Sequence, residues 1–175
     1  MTEKKKMTSK YQIILCDSCV VIELFRLNLW EQIISSFEIT VSSTIVNEVT
    51  FYRDNQQNKH PINLRKYIIS KKINKISVPL SMMQIFYQKF DPSFQDRLDP
   101  GELELLAHLF NNKNDNLKIC SADSIVFKIL GKECMSEHSI SLEEILPKNF
   151  PKKQIHTQFT KKFKEKYLQD GLQFF

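Results

Sequence analysis

Residues 12–22, QIILCDSCVVI, decide the fold. The run QIILC has no polar alternation, as expected of a strand buried on both faces, and Ser18 opens a stretch with helical periodicity to about Ser36. Asp17 stands at the junction. The same pattern then recurs. Residues 37–41 read as a second strand, after which Ser42, Ser43 and Thr44 offer N-caps and Ile45, Val46, Val49 and Tyr52 follow at helical spacing. Residues 54–60 are polar and read as a loop, 62–70 as a helix, KISV (75–78) as a short extended piece, and 81–90 as another helix. Asp99-Pro100-Gly101-Glu102 starts an amphipathic helix with Leu103, Leu106, Leu109 and Phe110 on one face, and NNKNDN ends it. Residues 117–121 form a third strand, 123–130 a helix stopped at Gly131, and 139–142 a last short strand.

Strands alternating with helices imply right-handed crossovers and a mainly parallel sheet covered on both faces, an α/β fold. At 175 residues the chain holds one substantial core. Its expected parts are a flexible basic tail (1–10), one domain (11–147) and a C-terminal amphipathic helical appendage (148–175). The appendage follows the linker-like PKNFPKK, and its lysine-rich helix, 154–169, carries Phe159, Phe163 and Tyr167 on one stripe. No apolar run reaches the roughly 18 residues needed to span a bilayer, and MTEKKKMTSK precedes the first strand without a secretory core, so a cytoplasmic location is expected. Cys16, Cys19, Cys120 and Cys134 then stay reduced.

The charge of +5 raises the prior for a polyanionic partner only modestly, because lysine-rich surfaces also serve solubility. Glycine is more decisive. It occurs at 101, 131 and 171 alone, so neither a GxGxxG nor a GxxxxGK[ST] loop exists, and dinucleotide-binding and P-loop readings fail.

Four acids carry the functional reading: Asp17 follows the first strand, Glu48 lies in the helix after the second, Glu102 opens its own helix, and Asp123 sits just past the third strand. Sites in parallel sheets form at the carboxyl ends of strands, which draws Asp17 and Asp123 to one edge. Two unit charges about 4 Å apart repel by roughly 4 kcal/mol at an effective dielectric near 20, so such a cluster calls for protons or a cation. Oxygen-only ligation points to Mg²⁺ or Mn²⁺. Each acid also has an ordinary explanation. Asp17 and Asp123 can cap helices, Asp99-x-x-Glu102 has the spacing of a capping box, and Glu48 can be a solvated helix residue.

In this order, ILCDSCVVI, ITVSSTIVNEV, DPGELELLAHL and ICSADSIVFKIL resemble the four acidic motifs of PIN-domain nucleases, over roughly residues 12–147. The resemblance implies a three-layer α/β/α sandwich with a parallel central sheet. It also implies Mg²⁺ or Mn²⁺ dependence and hydrolysis of RNA phosphodiester bonds by an endoribonuclease. Asp17, Glu48, Glu102 and Asp123 match the family's acids as catalytic, metal-binding residues, and Ser18 and Ser121 fall where small hydroxyl residues orient waters or carboxylates. The implied partner is an RNA substrate, together with an antitoxin if the chain is the toxin of a toxin–antitoxin pair. Another protein partner and a homodimer stay open. Two departures stand out. Ala122 and Ser124 flank Asp123 where many members have a second acid, which leaves the number of metals open, and residues 62–99 and the tail exceed minimal toxin-type members. A catalytically silent PIN-like module that binds RNA or protein is the alternative.

Other chemistry reads less well. Cys16-x-x-Cys19 sits where thioredoxin-like motifs sit, but Asp17 between the thiols opposes thiolate formation. A receiver-like phospho-acceptor domain also gathers carboxylates, yet no lysine follows a late strand. Histidines 60, 108, 138 and 156 are scattered, and Glu104 with His108 reads as a surface i, i+4 pair. Lysines 161, 162, 164 and 166 could track phosphates, although such a helix more often buries its aromatics and solvates its lysines.

Overall fold

Ile13–Cys16 forms β1, whose last three residues are fully buried, as a strand with neighbours on both sides and helices on both faces must be. The computed structural model describes residues 12–90, 94, 97–112, 116–151 and 154–173. The expected tail (1–10) and part of the linker lie outside them. β1 pairs in parallel with β2 (Glu38–Ser42) on one side and β6 (Leu117–Cys120) on the other, with Leu15 opposite Thr40 and Cys16 opposite Cys120. β5 (Asn74–Ile76) extends the sheet beyond β2, and β7 (Ser139–Ile140) extends it beyond β6. The order is β5-β2-β1-β6-β7, parallel throughout. Flanked by helices, it makes the expected three-layer α/β/α sandwich. The chain leaves β1 in one direction and later returns to β6 on the other side, so right-handed crossovers send the helices of the two halves to opposite faces. The order therefore reverses between β1 and β6, which is where ligand sites form in open α/β sheets.

The expected helix over 18–36 is two helices, α1 (Ser18–Arg26) and α2 (Trp30–Ser36). Asn28 turns the chain with φ 55°, and Leu29 N bonds Leu24 O at 2.9 Å, the Schellman pattern. The turn buries Trp30 and stacks it on Phe25, with ring centroids 4.9 Å apart. α3 (Ser43–Glu48) ends sooner than periodicity implied. Phe51–Arg53 (β3) and Lys59–Pro61 (β4) make an antiparallel ribbon in place of the expected helix end and loop. Packing explains the difference, since the Tyr52 ring stacks on His60 at 4.9 Å and on Phe25 at 6.3 Å, an arrangement a helix would break. α4 (Leu64–Ile69) and α5 (Leu80–Gln88) lie near their expected places.

α6 (Pro100–Asn111) has the capping box, with Asp99 N bonding Glu102 Oε2 at 3.1 Å. Residues 101–107 are all buried, so α6 is enclosed on more sides than a one-faced surface helix. α7 (Ser124–Lys132) runs past Gly131, contrary to the expected stop. The chain turns instead at Cys134, φ 54°, with Met135 N on Leu130 O at 2.8 Å. Gly131 serves a different purpose. A Cβ there would stand 2.1 Å from the Leu168 carbonyl oxygen, and one on Gly171 would stand 2.2 Å from that of Lys128. After the short α8 (Leu142–Ile145), α9 (Lys161–Leu172) thus lies backbone against backbone on α7. Phe159 is buried, Phe163 meets Phe127 edge-on at 6.3 Å, and Lys164 is buried in an ion pair with Glu144 at 2.8 Å. No helix among the described residues is long and apolar enough to cross a membrane.

Candidate functional site

Asp17 leaves the end of β1 with its amide bonded to Cys120 O at 3.1 Å, so the strand pairing itself fixes where its carboxylate begins. The side chain is 3% exposed and fully engaged. Oδ1 accepts from Ser18 N at 2.6 Å and Ser18 Oγ at 3.4 Å, and Oδ2 accepts from Cys19 Sγ and Ser121 Oγ, each at 3.0 Å. Burial raises the carboxyl above its ordinary range, while these hydrogen bonds from Cys19, Ser18 and Ser121 pull it down. Asp17 does cap α1, and the cap and the site are one arrangement.

Across the switch point, Ser121 accepts the amide of Asp123 at 3.0 Å while donating to Asp17. One hydroxyl therefore ties the residues after β1 to those after β6. Asp123 caps α7 through Oδ1 on Ile125 N at 2.9 Å and is half-buried. Glu102 is 4% exposed, and its carboxyl is pushed up to about 8, first by burial and then by the charges of Asp17 and Asp123. The capping box engages only its Oε2 among the described residues. Capping and convergence on the acids coexist in this residue.

Glu48 closes α3 and is exposed, yet burial raises its carboxyl, joined by the charges of Asp99, Asp17 and Glu104. Gly101 lets α6 pack closely on α3, because a Cβ there would lie 2.9 Å from Ile45 Cγ1. Among the four acids, Asp17 thus acts on both Glu48 and Glu102, and Asp123 acts on Glu102. Among the described residues, however, no group of three or more His, Cys, Asp or Glu side chains lies close enough to form a ready-made metal shell.

Three contributors escaped the sequence reading. Cys19 donates its thiol to Asp17, and Asp99 adds charge beside Glu48 and Glu102. Glu104 is not a surface partner of His108. It is buried and accepts from Ser43 Oγ at 3.2 Å and Thr44 N at 3.1 Å, locking α6 onto the start of α3. The signal was there in GELELLAHL, where Glu104 stands between apolar residues on both sides. The thiols oppose the redox reading. Cys16 is pushed up by burial and then by the Asp17 charge, Cys19 likewise, and all four cysteines are free.

The donor set is suited to a hard cation. Its carboxylates and hydroxyls are oxygen donors, the kind that hard cations take. No family model, curated protein or solved structure matches the chain.

Proposed function

We propose that the chain is a PIN-type, Mg²⁺- or Mn²⁺-dependent endoribonuclease that hydrolyses phosphodiester bonds at the edge formed by Asp17, Glu48, Glu102 and Asp123. The observation that carries the reading is Glu102, a buried acid held near pKa 8 by burial and by Asp17 and Asp123, at the point where strand order reverses. Such charge is costly unless a proton or a cation neutralises it. Asp17 and Asp123 are the principal ligands in this reading, with Glu48 and Glu102 completing the acidic edge. A divalent ion bound there would supply Lewis acidity toward the phosphate and a lowered pKa for attacking water.

The chain's own residues do the rest. Ser121 holds Asp17 Oδ2 and the Asp123 amide in fixed relation, so both carboxylates keep their aim. Pushed up to about 8, the Glu102 carboxyl would hold its proton less firmly beside a bound cation, and its carboxylate would then be placed to orient water. Ser18 and Cys19 hold Asp17 in one rotamer. The protein is then expected in the cytoplasm, where its free thiols remain reduced.

The test is cleavage of a single-stranded RNA with Mg²⁺ or Mn²⁺. Activity is expected to vanish in EDTA and to fall at least a hundredfold in Asp17→Asn. Undiminished cleavage by that variant defeats the assignment. The second reading is a catalytically silent PIN-like module that binds RNA or protein. Tight binding indifferent to metal and to Asp123→Asn, with no cleavage, would select it.

A further inference from the structure

The β3–β4 ribbon has an inner face and an outer one. Tyr52 stacks on Phe25, and His60 stacks on Tyr52. Strand alternation then sends Phe51, Arg53, Lys59 and Pro61 outward, and all four are exposed, Phe51 by 40%. In the register, Phe51 stands opposite Pro61 and Arg53 opposite Lys59. The Lys59 ammonium lies 4.6 Å and the Arg53 guanidinium 5.7 Å from the centre of the Phe51 ring. Among the described residues neither cation is ion-paired with an acid. Asp54, the acid of the turn, is consumed by His60 Nε2 at 2.8 Å and by the amides of Gln56 and Asn58. Arg53 Nη1 also donates to Gln57 O at 3.0 Å, a bond that holds the guanidinium without neutralising it, so the ring is flanked by two positive charges with no acid paired to them.

We infer that this outer face is a docking site for single-stranded RNA, with Phe51 stacking on a base and Arg53 and Lys59 contacting the flanking phosphates. The inference rests on the nuclease reading for the position of the scissile bond. An edge lined with carboxylates repels a phosphate backbone, so a strand delivered to it must be held by positive charge beside it. The ribbon meets that need by position. Phe51 follows Glu48 by three residues, at most about 11 Å along an extended chain. Every base offers a π-face, so the platform would bind with little sequence preference.

The experiment uses the full chain in EDTA, where cleavage is silent, and a fluorescein-labelled single-stranded oligouridylate followed by fluorescence anisotropy. Phe51→Ala is expected to weaken binding about 5- to 150-fold, Phe51→Leu by a similar factor, and Phe51→Trp little. Replacing both Arg53 and Lys59 by Gln should lower the slope of log affinity against log salt by about 1.4. Thermal melts check that each variant is folded, and Phe51→Leu keeps apolar bulk on the ribbon should Phe51→Ala unsettle it. Unchanged affinity in folded Phe51→Leu, or no binding by the wild type, overturns the inference. If Asp17→Asn abolishes cleavage while the Phe51 variants bind and cut normally, the docking site falls and the nuclease stands. If the Phe51 variants lose binding but the wild type never cuts, the nuclease reading falls and the docking site stands.

Discussion

Ser121 donates its hydroxyl to Asp17 Oδ2 at 3.0 Å, joining residues 104 positions apart in sequence at the one place where strand order reverses. The same oxygen accepts the Asp123 amide at 3.0 Å. A buried hydroxyl used in both directions is hard to replace, since its loss leaves an acid and an amide each short of a partner.

Ser121→Ala should therefore lower stability by about 1–3 kcal/mol in urea unfolding, and Ser121→Thr by less. If the acids bind metal, cleavage in the alanine variant should also drop by about 10- to 100-fold, as for other residues that hold metal ligands. Wild-type stability in Ser121→Ala would show that this hydroxyl does not couple the two carboxylates.

Glu102 makes a pH prediction of definite sign. Its folded-state carboxyl titrates near 8 against an ordinary 4.5, so between those values the folded chain binds more protons than the unfolded one. Stability should fall as pH rises through this window, by up to about 1.4 kcal/mol per unit, and level off above it. Glu102→Gln should flatten the slope and be the more stable protein at the alkaline end. Urea midpoints across this range provide the measurement, and an equally steep slope in the variant would refute the assignment.

Glu144 runs the other way. Burial works to raise its carboxyl but is outweighed by hydrogen bonds from Lys164 and Ser141, which leave it below the ordinary range. The stability it confers is present above the ordinary carboxylate pKa and lost as pH falls through its depressed value. Lys164→Ala should remove that acid-side loss and cost about 1–3 kcal/mol at neutral pH. A neutral-pH melting temperature equal to wild type would mean that Lys164 is merely solvated.

The two helix-crossing glycines should be intolerant of side chains. Gly131→Ala and Gly171→Ala each force a Cβ against a facing carbonyl and should cost about 1–3 kcal/mol or more, read from thermal or urea unfolding. Because either change pushes α9 away from α7, the double variant should lose less than the sum. Strict additivity would show that the helices do not separate as a unit.

Much of the fold was legible. QIILC is a continuous apolar run and short strand-like pieces alternate with helical periods after it, and a parallel sheet is the arrangement that hides such a central strand on both faces. The ribbon was not legible, because Val49 and Tyr52 continue a helical period and only stacking on Phe25 and His60 overrides it. The turns were misread for a related reason. Glycine is so scarce here that Asn28, Lys71 and Cys134 adopt the left-handed conformation at helix ends, while all three glycines lie where one helix meets another. For the site, the strand-end positions of Asp17 and Asp123 could be read directly, and the apolar neighbours of Glu104 hinted at its burial, whereas the charge that Asp99 adds and the partners of Glu104 depend on α6 being drawn in beside α3.

The sequence by itself determined the parallel α/β sheet and the carboxyl edge on which its acids stand, because burial pattern and periodicity are properties of neighbouring residues. Which acids share a field was decided only by tertiary structure. Asp17 acts on Glu48 and Glu102, and Asp123 on Glu102, through space, across a reversal of strand order and the close packing of α6 on α3 that Gly101 permits, and no local pattern encodes either.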